Sequence, residues 1–229
     1  MKEQIRLVTL DLDDTLWEIT PLIERAEARL HTWLAEQCPA SADHFMPARL
    51  RACRREVENL HPEHAGDISE LRRLSIRRAL KQGGEDEALA DEAFEVFRAA
   101  RNEIECFDDV LPALERLKSR FIVGAITNGN ACLDRAGLSR LFDFSISARD
   151  AGCTKPAQQI FHLACERAGV RPDETLHAGD DIECDVRGAL AAGLHAAWIN
   201  RDGQTRLLAP PAITLTSLSA LADYLSPAE

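Results

Sequence analysis

Glycine is distributed unevenly along this chain, and that division constrains the fold more than any other feature. Nine of the twelve glycines follow residue 120, whereas the stretch from 18 to 105 holds only Gly66, Gly83 and Gly84. Glycine marks tight turns between short elements, so the two regions are expected to be built differently. The glycine-poor stretch has helical periodicity. Leu22, Ala26, Leu30 and Trp33 fall on one face, as do Met46, Leu50, Cys53, Val57 and Leu60, and again Leu89, Ala93, Phe97 and Ala100. Ile68 to Leu80, closed by Gly83-Gly84, supplies a fourth helix. It carries Arg72, Arg73, Arg77 and Arg78, which read either as a solvated helix face or as a basic face toward an anionic ligand.

The rest of the chain alternates short apolar runs with helical patterns. The strands expected are Ile5–Leu10, Phe121–Ile126, Phe144–Ile146, Thr175–Ala178, Ala196–Ile199 and Ile213–Leu215. Helices are expected over Leu111–Lys118, Ala131–Leu138, Pro156–Ala168 and Asp185–Ala192, with Pro156 in a first turn and Gly169 at an end. Strands joined by helical crossovers imply a parallel sheet covered on both faces. The simplest architecture is therefore α/β: a Rossmann-like parallel sheet interrupted after its first strand by a four-helix insert. Residues 1–17 and 106–229 would form the α/β core, residues 18–105 the helical domain, and the last four residues a frayed tail.

Charge and cysteine usage narrow the function classes. Lys plus Arg is 27 and Asp plus Glu is 38, a formal charge of −11, which argues against a nucleic-acid or anionic-membrane partner. No apolar run approaches a bilayer span. The opening residues Met1 to Arg6 lack a long apolar stretch and a small-residue cleavage site, so no secretory leader is expected. Seven cysteines, odd in number and with no Cys-x-x-Cys pair, fit reduced thiols in the cytoplasm.

Chemistry in open α/β sheets sits at the carboxyl ends of strands. There the sequence places Asp11, Asp13 and Thr15 after the first strand, Thr127 and Asn128 after the second, and Lys155 before the Pro156 helix. Asp180, Asp181 and Asp185 follow the Thr175 strand. An acidic turn after a strand is ordinarily solvated capping. Together the four sets put carboxylates, one hydroxyl, one amide and one ammonium on a single rim, and crowded carboxylates need a cation. Hard carboxylate oxygens with no His or Cys cluster select Mg²⁺. Phosphate is then the natural ligand, held by Lys155, Thr127 and backbone N–H groups.

Asp11-x-Asp13-x-Thr15, Thr127-Asn128, Lys155-Pro156 and Gly179-Asp180-Asp181-x-x-x-Asp185 resemble, in order, the four motifs of the haloacid dehalogenase (HAD) superfamily. The helical insert after motif one resembles that family's C1 cap. This resemblance implies a hydrolase acting on small phosphorylated metabolites. Asp11 would be the nucleophile that forms an aspartyl phosphate, and Asp13 the general acid and then base. Asp11, the backbone carbonyl of Asp13 and Asp180 would hold Mg²⁺. Asp185 and Asp181 would act from behind, orienting Lys155 or a metal-bound water. Thr127, the Asn128 backbone and Lys155 would bind phosphoryl oxygens.

Within the family, dehalogenases and phosphonatases lack an acid at the position of Asp13, so its presence favours an oxygen leaving group. A phosphomutase or phosphotransferase needs the same motifs and stays open. A phospho-accepting signalling domain uses similar residue types but takes phosphate on a later strand. The runs Leu10–Leu16, Ile126–Ala131 and Leu176–Asp181, with Asp67-Ile68-Ser69-x-Leu71-Arg72, look like the YigB-type bacterial phosphatases. Those act on FMN and on the ribitylaminouracil phosphate of riboflavin synthesis. Arg72 is then a candidate substrate contact. Trp17 either lines the cap entrance or packs in the hinge. His177 is expected to be a buried supporting residue, and the chain to be a monomer or homodimer.

Overall fold

The computed structural model describes residues 4–203 and 212–226. The frayed tail expected at 226–229 lies outside it save for Ser226, as do the first three residues. The described residues fall into two compact units. One takes in the residues up to Glu18, Glu105–Gly129 and those from Ala136 on; the other takes in Ile19–Ile104 and Asn130–Arg135.

The first unit is built on six parallel strands: β1 (Leu7–Leu10), β2 (Ile122–Thr127), β3 (Phe144–Ser147), β4 (Thr175–Gly179), β5 (His195–Ile199) and β6 (Ile213–Leu215). Their order is β3-β2-β1-β4-β5-β6. All four residues of β1 are buried, as a central strand covered on both faces requires. Leu10 pairs with Ala125 on one side and Ala178 on the other, so the chain leaves β1, β2 and β4 along one rim. The strand order reverses beside β1, the place where such sheets open a crevice. Each expected strand is present, with ends that differ by at most two residues.

The second unit contains α1 (Ile19–Gln37), α2 (Pro47–Leu60), α3 (Ile68–Gly83) and α4 (Ala90–Arg101). Its core gathers Ala26, Leu30, Leu34, Phe45, Ile76, Phe94 and Phe97. The Asp67 carboxylate accepts the Glu70 N–H at 3.0 Å and caps α3, while Gly84 closes that helix in the left-handed region at φ 75°. Arg72 is buried: its guanidinium lies 3.8 Å over the Phe97 ring and 3.6 Å from Glu27. Burial lowers its pKa to about 10. Arg73 stacks on Phe94, and Arg78 pairs with Glu56. These three arginines are thus bound to neighbours within their own unit.

Returning to the first unit, α5 (Val110–Lys118) packs on β2 and on the later α9 (Leu218–Leu225). The short α6 (Ala148–Ala151) follows β3, and α7 (Gln158–Ala168) packs on β1 and β2. After β4 the chain winds as a π-helical segment over Ile182–Arg187 before α8 (Gly188–Ala191), where a single helix from 185 was expected. Two other expectations are corrected. Pro156 is not in the first turn of α7; it follows a cis peptide after Lys155, two residues ahead of the helix. The helix expected over 131–138 is instead a run of turns. Its first part belongs to the helical unit, where Asn102 Oδ1 accepts the Cys132 N–H at 2.7 Å and Arg135 meets Glu95 at 3.3 Å.

Arg201, after β5, braces the turn that follows β1. Its Nε donates to the Thr15 carbonyl at 3.0 Å, its other nitrogens reach both Asp109 oxygens, and its guanidinium lies 4.0 Å over Phe107. Asp109 also accepts the Leu218 N–H at the start of α9, at 2.6 Å. Burial opposes its charge, yet Arg201 and these backbone donors hold its carboxyl below the usual range. All seven cysteines are unpaired thiols. No helix of the described residues is long and apolar enough to cross a membrane.

Candidate active site

The rim at the ends of β1, β2 and β4 brings together the residues that the sequence strings across 175 positions, from Asp11 to Asp185. Lys155 is at its centre, 4% exposed. Its ammonium donates to Asp11 Oδ1 at 2.5 Å, to Asp185 Oδ1 at 2.6 Å and to the Ile126 carbonyl at 3.0 Å. Asn128 fixes the lysine backbone reciprocally: its Oδ1 accepts the Lys155 N–H at 2.7 Å and its Nδ2 donates to the Lys155 carbonyl at 3.0 Å. The Asn128 side chain is therefore occupied in placing Lys155. Thr127 Oγ1 accepts the Gly129 N–H at 2.8 Å.

Asp185 is engaged on both oxygens. Oδ1 receives Lys155 and, at 3.1 Å, His177 Nε2; Oδ2 receives the Asp181 N–H at 3.0 Å. His177 is fully buried, with Nδ1 2.9 Å from Thr9 Oγ1, its neighbour in the β1–β4 register. Asp181 has a different task. Its Oδ1 accepts the N–H groups of Glu183 and Cys184 and caps the π-helical segment. Asp180 accepts Thr15 Oγ1 at 3.0 Å, and its backbone carbonyl accepts Trp198 Nε1 at 2.8 Å. Trp17, expected either to line an entrance or to pack in the hinge, is fully buried, with its indole on Asp13. Sequence reasoning assigned no role to Thr15 beyond its place in a motif, and none to Arg201 or Trp198. Their partners are far away in the chain and carry no local spacing signal.

Electrostatically the rim has too many anions. Burial raises the pKa of Asp11 well above the usual carboxylate value, with the charges of Asp185 and Asp180 adding and Lys155 opposing. Burial and the Asp185 charge raise Asp180 to about 6. Asp185 goes the other way: burial opposes its ionisation, but Lys155 and His177 outweigh burial and lower its pKa. Lys155 is held charged by the two carboxylates despite its own burial. Ligand oxygens of Asp11, Asp180 and Asp185 lie within 4.8 Å of one another. This all-oxygen, anion-rich donor set suits a hard divalent cation.

Gly179 leaves room for this arrangement. A Cβ there would sit 2.2 Å from Asp185 Oδ2 and 2.3 Å from its Cγ. Gly179→Ala is expected to push Asp185 off Lys155 and to destabilise the protein by about 1–3 kcal/mol. A thermal melt reads this as a Tm lowered by several degrees, and an unchanged Tm would contradict the packing described.

The haloacid dehalogenase-like hydrolase family matches residues 5–193, and the chain belongs to that family. It is a hydrolase of the phosphoric monoester class. Over 97% of its length it is 32% identical to the 5-amino-6-(5-phospho-D-ribitylamino)uracil phosphatase YigB of Escherichia coli (strain K12), also covering 97% of that protein. It is 31% identical to the glyceraldehyde 3-phosphate phosphatase of Methanopyrus kandleri, over 86% of this chain and 84% of that one. Among solved structures, a 2-haloacid dehalogenase from Pseudomonas syringae pv. Tomato DC3000 superposes with a TM-score of 0.88. It is 40% identical, covering 96% of this chain and 98% of that one.

Proposed function

We propose that this chain hydrolyses phosphomonoesters of small metabolites through a phosphorylated Asp11. The observation that carries the reading is the buried Asp11–Lys155 pair on a rim shared with Asp180, Asp185 and Thr127. An Asp11 carboxylate oxygen bonds to phosphorus as the ester P–O bond breaks, and Asp13 gives the departing alkoxide its proton. Asp13 then takes a proton from the water whose oxygen attacks phosphorus, freeing Asp11 and inorganic phosphate. Thr127 and the Asn128 backbone N–H hold phosphoryl oxygens, and Lys155 offsets their growing charge. Asp11, Asp180 and the Asp13 backbone carbonyl would hold Mg²⁺. Asp185, with both oxygens already engaged, supports them from behind. When bound, the ion neutralises carboxylate and phosphate charge. Residues 18–105 serve in this reading as a C1-type cap bearing specificity.

The finer assignment is a riboflavin-pathway phosphate, the ribitylaminouracil ester or FMN. It is supported by the full-length similarity to the Escherichia coli enzyme so named. Dehalogenation is a second reading, favoured by the name of the Pseudomonas syringae structure. Asp13 weighs against it, because a halide leaves without a proton. A phosphomutase would transfer phosphate to a second substrate instead of releasing it.

The test is a panel on purified, EDTA-dialysed enzyme with and without added Mg²⁺. It contains FMN, the ribitylaminouracil phosphate, glyceraldehyde 3-phosphate, sugar phosphates, nucleotides and 2-chloropropionate. Inorganic phosphate is expected only with Mg²⁺, most rapidly from the riboflavin-pathway esters. Chloride release with no phosphate from any ester would overturn the reading. Undiminished turnover after chelation would overturn its metal.

A further inference from the structure

We infer that Trp17 is the positioning residue for Asp13, holding one oxygen of that carboxylate and so fixing where the other is presented. This inference rests on the reading of Asp13 as general acid and base. The five residues from Asp13 to Trp17 make a closed turn. Asp13 and Trp17 are bridged, the Asp14 N–H donates to the Trp17 carbonyl at 2.8 Å, and the Leu16 N–H donates to the Leu12 carbonyl at 2.8 Å. Asp14 takes the left-handed conformation, φ 58°, that lets so short a loop close. The turn is held from outside by Arg201 on the Thr15 carbonyl and by the Phe107 N–H on the Leu16 carbonyl at 3.0 Å.

Closing the turn lays the indole against the acid. Trp17 is 0% exposed, and its Nε1–H donates to Asp13 Oδ1 at 2.8 Å. The other oxygen lies over Gly129, where a Cβ would come within 2.4 Å of Oδ2 and 3.1 Å of Thr127 Oγ1. The carboxylate is therefore fixed between a buried donor and a bare stretch of backbone beside a phosphate-binding hydroxyl. An indole N–H can only donate. Oδ1 is thus the oxygen held by the indole. Oδ2 is the oxygen on the Thr127 side. Fixing this geometry supplies part of the orientation that proton transfer needs.

Trp17→Phe keeps the aromatic volume and removes the donor. The readout is kcat/KM, which reports steps up to the phosphorylation of Asp11, for two substrates. p-Nitrophenyl phosphate has a leaving group that needs little protonation; β-glycerol phosphate leaves as an alkoxide. The expected result is a fall of about 10–100-fold for β-glycerol phosphate and less than about threefold for p-nitrophenyl phosphate. Equal falls for both would reduce Trp17 to packing, and no fall for either would remove its role; each overturns the proposal. Asp13→Asn in the same assay separates this from the underlying reading, since it must show the same selectivity if Asp13 is the acid. If the Phe variant does not fold, benzothienylalanine at position 17 keeps the bicyclic shape with sulfur in place of N–H and is held to the same two outcomes.

Discussion

Asp11→Asn is expected to give a folded protein that turns over no phosphomonoester, with kcat lower by at least about 10⁴-fold, the scale of losing an enzymic nucleophile. The amide keeps the size of the side chain and its oxygen can still accept from Lys155, but it does not attack phosphorus. Stability should move little or rise. The substitution removes one buried anion from a cluster in which burial and like charge push Asp11 and Asp180 toward the neutral form, and it leaves Asp185 to pair with Lys155 at 2.6 Å. Phosphate release and a thermal melt on the same preparation check both halves. Substantial turnover with a native melt would reject Asp11 as the nucleophile.

Lys155→Met should do the opposite to stability. It leaves Asp11 and Asp185, 7% and 1% exposed, without the ammonium that both of them touch. Removing one partner from such a buried arrangement costs about 3–5 kcal/mol, roughly 6–20 °C in Tm for a chain of this size. Activity should be lost as well. The pH dependence follows from the shifts. Asp185 is depressed in the folded protein, so its contribution is present above the ordinary carboxylate pKa and lost as pH falls through the lower folded value. Lys155 is raised, so its contribution is complete below the ordinary lysine pKa and lost as pH rises through the folded value. The stability gap between native and variant proteins should thus be wide near pH 7 and begin to close only as pH falls below the ordinary carboxylate range, measured by chemical denaturation. A gap independent of pH would show that the lysine acts through packing alone.

Much of this architecture was legible in the linear sequence because its signals are local. Each buried strand is a short apolar run, and Asp11, Thr127 and Asp180 stand at or directly after the end of one. The failures have local causes too. The apolar residues at 131–138 suggested a helix, yet Gly137 adopts φ 71° and the Cys132 N–H is taken by the Asn102 side chain, so the segment has turns instead. The pattern after β4 suggests one helix, whereas Asp181 caps a π-helical segment that sets Asp185 against Lys155. What no spacing rule could reveal are the partnerships made by strand register and loop return. His177 reaches Asp185 from within β4, Arg201 reaches Thr15 from beyond β5, and Trp17 turns back onto Asp13. In the folded chain these three side chains support the rim.

The position of β1 has a consequence for synthesis. Its partner in β4 follows it by 168 residues, as the Thr9–His177 pair records, and contacts so distant form slowly. Until β2 is made, the segment ending at Asp11 has no strand to pair with, whereas the contiguous helices behind it already have their own neighbours. Asp11 emerges early and meets Lys155 late, so a nascent chain arrested before that lysine would hold the helices of the second unit and an Asp11 still without its partner.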